Sequence, residues 1–124
     1  MDKLEIVNHV LEQIGIPPEQ RTTINCLSLL ALAGIKKEGA FRDATNGWIR
    51  IHDIMAFISA EYGIAYAENT RETVRKNAMH NFRTAAVIED NGLSTNSPRY
   101  SYRVTDEFLK VIRTVRETET GMEI

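Results

Sequence analysis

Between Thr22 and Ala33 the chain offers a helix almost no polar side. Ile24, Cys26, Leu27, Leu29, Leu30 and Leu32 fall all round its circumference. Such a helix cannot lie on a surface; other elements must wrap it, so residues 22–33 are the expected centre of the fold. The wrapping elements are legible as apolar stripes at helical spacing. Leu4, Val7, Val10, Leu11 and Ile14 share one face of a first helix, which Gly15 and Pro17-Pro18 end. Ile51, Ile54, Met55, Ile58 and Tyr62 form a third helix, stopped by Gly63. Val74, Ala78, Phe82 and Ala85 give the inner stripe of a helix over about 70–84. Phe108, Val111, Ile112 and Val115 are the buried side of a last helix over about 105–116. A chain of 124 residues, 43% of them hydrophobic, supplies one such core, so residues 1–124 are expected to form one domain.

The polar connections set the topology. Residues 34–47 carry Gly34, Gly39 and Gly47 and read as a loop, and Trp48-Ile49-Arg50 as a very short strand. Residues 64–68 are a turn, after which Asn69 reads as an N-cap and Glu72 as its box partner. On the helix that follows, Glu72, Thr73, Lys76, His80 and Arg83 point away from the inner stripe as one outward ridge. Residues 87–89 and 100–104 look like two strands. In the second, Tyr100, Tyr102 and Val104 take one side, and Arg99, Ser101 and Arg103 the other. Asp90-Asn91-Gly92 and Asn96-Ser97-Pro98 supply the turns. An apolar helix, a short turn, a basic helix and a hairpin predict a mainly α winged helix-turn-helix with a small β-hairpin. Residues 118–124 are expected to fray.

Charge is unevenly spread. The net charge is −2, yet residues 69–103 hold six Lys/Arg against three acids, a local +3, which leaves the remainder at −5. A basic segment in an acidic body points to a localised anion-facing surface; the bland alternative is a solvated face. For a DNA duplex the residue types suit. Arg71 and Lys76 can reach guanine, Asn77 adenine, and Thr73 a phosphate or thymine methyl. Arg99 and Arg103 of the wing can reach phosphate or a minor groove, and Ser94, Thr95 and Asn96 at the loop tip can donate to phosphate. His80 and Arg83 continue the ridge. Each has a structural alternative: Thr70 as a helix cap, Arg71 as a surface ion-pair partner, His80 as a solvated side chain. Arg75 borders the inner stripe and reads as a structural arginine packed through its stem.

Catalytic chemistry finds no foothold. No Asp or Glu is followed two positions later by Lys, so the acid-x-Lys element of metal-dependent nucleases is absent. His9, His52 and His80 stand apart, and His52 beside Asp53 reads as a surface or capping feature. There is no phosphate-cradling Gly-rich loop, and the Ser and Cys side chains lack an evident base. Cys26 is the only cysteine, which excludes a disulfide framework. No apolar run approaches the ~20 residues that cross a membrane. The expectation is a cytoplasmic domain with no membrane partner, no catalytic residue and no cofactor of its own.

Leu29-Leu30-Ala31-Leu32, Ile51, Ile54-Met55, Phe57-Ile58, Tyr66-Ala67, the run 69–75 (Asn-Thr-Arg-Glu-Thr-Val-Arg), His80, Phe82, Asn96-Ser97-Pro98 and Tyr102 carry a resemblance. Over roughly residues 15–104 the chain resembles the N-terminal helix-turn-helix domain of the BsuBI/PstI family of type II restriction endonucleases. That resemblance implies a module that recognises a short palindromic double-stranded DNA site, in an intact homodimer that cuts with Mg²⁺ held by a following nuclease domain. It implies no active site here. A stand-alone winged-helix transcriptional regulator, or a winged helix that binds protein, remains the alternative.

Overall fold

The computed structural model describes residues 2–118 and 121–123. Helix α1 (Lys3–Gln13) is capped by Asp2, whose carboxylate accepts from the Glu5 amide. Its buried face is Ile6, Val7, Val10 and Leu11. Ile14, expected on that face, is 42% exposed because it follows the last helical turn, and Ile6 takes the inward position. Helix α2 (Thr23–Leu32) starts at the Thr22 cap and buries every residue from Asn25 to Leu32. It packs against α1, against α3 (Ile51–Tyr62), against the middle of the 70–84 helix and against the sheet, the central position its sequence demands. Its two buried polar side chains donate locally, Ser28 Oγ to Ile24 O at 2.7 Å and Asn25 Nδ2 to Gln20 O at 3.0 Å, while Asn25 Oδ1 is buried without a hydrogen-bond partner among the described residues. Burial pushes the Cys26 thiol up to about 11, against a smaller opposing pull from Arg21, so Cys26 is a protonated core residue.

Helix α3 ends at Gly63, which adopts the left-handed conformation (φ 71°) that closes a helix C-terminus. Residues 64–69 lead into a continuous rod over residues 70–84. It consists of α4 (Thr70–Thr73), a π-helical stretch (Val74–Met79) and α5 (His80–Thr84). The start differs from the sequence expectation. Asn69 has helical dihedrals (φ −67°, ψ −14°) and makes no capping bond. An N-cap needs an extended backbone to aim its side chain at the following amides. Instead the Thr70 and Arg71 amides donate to Ala67 O and Glu68 O. Glu72 is accordingly not a box partner, and Thr70 does not cap either. The inner stripe also shifts: Val74, Ala78, Met79 and Phe82 are buried, while Ala85 is exposed. The wider π turn carries Met79 inward beside Ala78, a position that strict 3.6-residue counting misses.

At the rod's end Ala86 takes φ 60°, the single non-glycine residue with positive φ among the described residues. Strand β1 (Ile88–Asp90) follows and pairs antiparallel with β2 (Tyr102–Val104), with Ile88 opposite Val104 and Asp90 opposite Tyr102. Ile49 bridges Tyr102 from the other side, as the short stretch 48–50 suggested, and makes β2 central. Thr105 knits the corner: its hydroxyl donates to Ala86 O at 2.9 Å and accepts from the Phe108 amide at 3.3 Å, so it caps α6 (Asp106–Arg113). That helix ends three residues short of the expected 116 and buries Phe108, Leu109 and Ile112; Val111 is half-buried. Strand β3 (Arg116–Thr118) then pairs with β4 (Gly121–Glu123), where fraying was expected; positions 119, 120 and 124 lie outside the described residues.

Candidate nucleic-acid interface

Helices α3 and 70–84, with the hairpin behind them, put one face of the rod outward. Glu72, Thr73, Lys76, His80 and Arg83 are all exposed, so the expected ridge stands. The π stretch adds to it. With Val74 and the Ala78-Met79 pair turned inward, the three consecutive residues Arg75, Lys76 and Asn77 lie outside together. Arg71 is exposed on the first turn and Thr70 half-buried beside it.

Most of these cations have an acid of their own. Arg71 Nη1 lies 3.0 Å from Glu68 Oε1. Glu72 accepts from Arg75 through Nε at 3.1 Å and through Nη2, and Lys76 Nζ is 3.8 Å away. The Arg75 hydrogen bond is the main reason that the Glu72 carboxyl is held below its ordinary range. Arg83 Nη1 donates to Asp90 Oδ2 at 2.7 Å and to the Tyr100 hydroxyl at 3.2 Å. Tyr100 itself donates to Asp90 Oδ2 at 2.9 Å, and the Gly92 amide donates to Asp90 Oδ1 at 2.9 Å. Asp90 is therefore held below the usual carboxylate range, first by the Gly92 amide and then by Tyr100 and Arg83. Burial and its hydrogen bonds to Tyr102 and Asp90 raise the Tyr100 hydroxyl. This three-way contact ties the hairpin to the C-terminal end of the rod.

The segment 91–100 folds back over the rod and leaves two adjoining depressions. One is lined by Arg75, Lys76, His80, Arg83, Thr95 and Tyr100. The other is lined by Arg50, His52, Arg71, Arg75, Thr95 and Pro98. Together they form a basic groove between the 70–84 helix and the hairpin loop. The structure corrects the sequence reading here. Arg75 is not packed by its stem but is exposed at the centre of the groove. His52 is exposed on the first turn of α3 and lines the same groove. Arg50 joins through Nη1, which donates to Pro98 O at 3.3 Å while Nε meets Asp53 at 3.2 Å. Arg50 carried no binding signal in the sequence and His52 read only as a surface or capping feature, because only the tertiary fold brings the start of α3 beside the hairpin loop.

The wing residues divide. Asn96 and Arg99 are exposed on the loop, and neither side chain has a partner among the described residues. Arg103 is half-buried. Its Nε donates to Glu89 Oε2 at 2.9 Å and its guanidinium sits 4.7 Å over the Trp48 ring. It lines neither depression; strand alternation puts it on the sheet face opposite Tyr102 and Val104.

Among the described residues no three His, Cys, Asp or Glu side chains come together to hold an ion. No helix is long and apolar enough to cross a membrane among the described residues.

An α-helical core, a helix-turn-helix pair and an antiparallel hairpin behind the second helix define a winged helix-turn-helix domain. The chain belongs to the BsuBI/PstI restriction endonuclease HTH domain family, whose model matches residues 1–121. It is 32% identical over 108 residues to the type II restriction enzyme BsuBI of Bacillus subtilis, across 84% of this chain and 34% of that protein. The fold is shared with the SdaI restriction endonuclease, with a TM-score of 0.84 and 24% identity over 92% of this chain and 39% of that one. The chain thus spans between a third and two fifths of the length of these relatives.

Proposed function

We propose that the chain is the duplex-reading module of a type II restriction endonuclease. The observation that carries this is the basic groove between the 70–84 helix and the hairpin loop, which gathers Arg50, His52, Arg71, Arg75, Lys76 and His80 in a chain of net charge −2. A helix with one exposed basic face is sized for the major groove, and the loop beside it for the flanking backbone. In this reading Arg71, Thr73, Lys76 and Asn77 meet base edges or the phosphates bordering them, with Thr70 at the helix start. His80, Asn96 and Arg99 contact phosphate. Arg83 and Arg103 hold the hairpin through Asp90 and Glu89, so their role in binding is mainly to fix the wing. Strand cleavage is supplied by Mg²⁺ held in another part of the protein. Two copies acting as a homodimer match the two halves of a palindrome in the cytoplasm.

Fluorescence anisotropy of a labelled duplex tests the binding directly. Each phosphate contact releases counterions, so affinity falls steeply as salt rises. Lys76→Ala or Arg71→Ala weakens binding by about 1–3 kcal/mol if the residue reads a base, and evenly across sequences if it meets only phosphate. A salt-independent affinity contradicts the proposal.

A further inference from the structure

Arg75 stands apart from the other cations of the groove. It lines both depressions, so it sits where helix, hairpin loop and the start of α3 converge. Its side chain is 44% exposed and is paired with Glu72. Glu72 grips it side-on, with Nε–H and one Nη2–H donating to the two carboxylate oxygens. A guanidinium has five N–H donors in a rigid plane. The side-on grip uses two and leaves the forward edge, one N–H on each terminal nitrogen, without a hydrogen-bond partner among the described residues. That forward edge is the fork that matches the O6 and N7 acceptors of guanine in a major groove. An exposed pair three residues apart on a helix adds little to stability. The pair's main physical effect is thus to remove the rotational freedom of a long side chain before it meets a ligand.

We propose that Arg75 is a specificity-determining residue that reads a guanine, and that Glu72 is its positioning residue. This rests on the duplex-binding reading above. Lys76 also lies near Glu72, but at 3.8 Å and as a point charge it gains no fixed plane. Arg83 is spent on Asp90 and Tyr100, and Arg71 meets Glu68 through a single Nη1 bond, which fixes no guanidinium plane.

The test is selection from a pool of randomised 12-base-pair duplexes with the 124-residue chain and its Arg75→Lys and Glu72→Gln variants, followed by anisotropy on the selected and unselected pools. All three proteins are first compared by far-UV circular dichroism; both positions are exposed, so the fold is retained. The expected result is that the natural chain enriches a sequence with a guanine position, and that Arg75→Lys and Glu72→Gln relax that same position by about tenfold or more. Affinity for the unselected pool is kept within about threefold by Arg75→Lys, which retains the charge, and does not fall with Glu72→Gln, which removes a negative charge beside the groove. Enrichment that survives Arg75→Lys unchanged, or a loss spread evenly over all sequences, overturns the assignment of Arg75 while leaving duplex binding intact. A relaxation seen with Arg75→Lys but absent with Glu72→Gln overturns the positioning role of Glu72. Failure of the natural chain to retain any duplex overturns the duplex-binding reading and, with it, this inference.

Discussion

Helix α2 packs against the middle of the 70–84 helix, yet the two are built on opposite rules. Helix α2 has no outside: residues 25–32 are all buried, and its identity as the core is written in composition alone. The 70–84 helix has one inside stripe and one outside face, and the outside is crowded with charge that does little for folding. The difference teaches where selection for stability stops. Leu29, Leu30 and Leu32 are fixed by what surrounds them. Among the described residues Arg75 and Lys76 meet only Glu72 as an acid and Asn77 meets none, which leaves their identity to be explained by what lies outside the fold.

Breaking that contrast starts with the core. Leu30 is fully buried at the centre of α2. Leu30→Ala costs about 2–5 kcal/mol of stability by lost transfer energy and residual cavity, read by urea denaturation. Below the unfolding transition, the same variant retains the base preference of the natural chain, because α2 contributes nothing to the groove. A change of preference in this variant would merge the two regions that the contrast separates.

A smaller effect, of opposite sign, is expected where the rod turns into β1. Ala86 sits at φ 60°, a conformation that costs an L-residue about 1 kcal/mol and glycine very little. Its carbonyl is held by Thr105, so the turn cannot relax. Ala86→Gly raises stability by about 0.5 kcal/mol after the added freedom of the unfolded chain is deducted. Thermal unfolding measured by circular dichroism checks it; a lower midpoint contradicts the strained-turn account.

The smallest effect separates the wing from the rod. The Asp90 carboxyl is depressed in the folded chain, so its contribution is fully present above the ordinary carboxylate range near pH 4 and is lost as pH falls through its lower folded value. The stability involved is below about 1 kcal/mol, since Arg83 is well exposed. The tie is nevertheless visible. The Gly92 amide and Tyr100 ring resonances shift together on acidification, and Asp90→Asn gives the shifted positions at neutral pH. Resonances that titrate at the ordinary carboxylate value would show that Asp90 holds nothing.

The sequence reading succeeded where periodicity and burial coincide. The stripes of α1, α2, α3 and α6 placed the core to within a residue or two, and the alternation of Tyr102 and Val104 gave the inner face of β2. It failed where the backbone departs from ideal spacing. The π stretch moved Met79 in and Ala85 out, and the helical dihedrals at Asn69 removed a cap that composition had suggested. It failed again where the site is assembled from distant segments. Arg50 and His52 lie 20 and 18 residues before Thr70, and their place beside Thr95 and Pro98 follows only from the way the hairpin loop folds back. Arg75 was misread for a third reason: its angle on an ideal helix borders the core, and the wider π turn swings it out.

The most direct test of the central claim is to map amide chemical shifts of the ¹⁵N-labelled chain as an unlabelled duplex is added. Duplex binding at the basic groove moves the amides of Arg71, Thr73, Arg75, Lys76, Asn77 and His80, together with Asn96 and Arg99 of the hairpin loop. Amides at the exposed ends of α1 stay where they are. Shifts that fall on α1 or α6 while the outer face of the 70–84 helix remains silent would contradict the account.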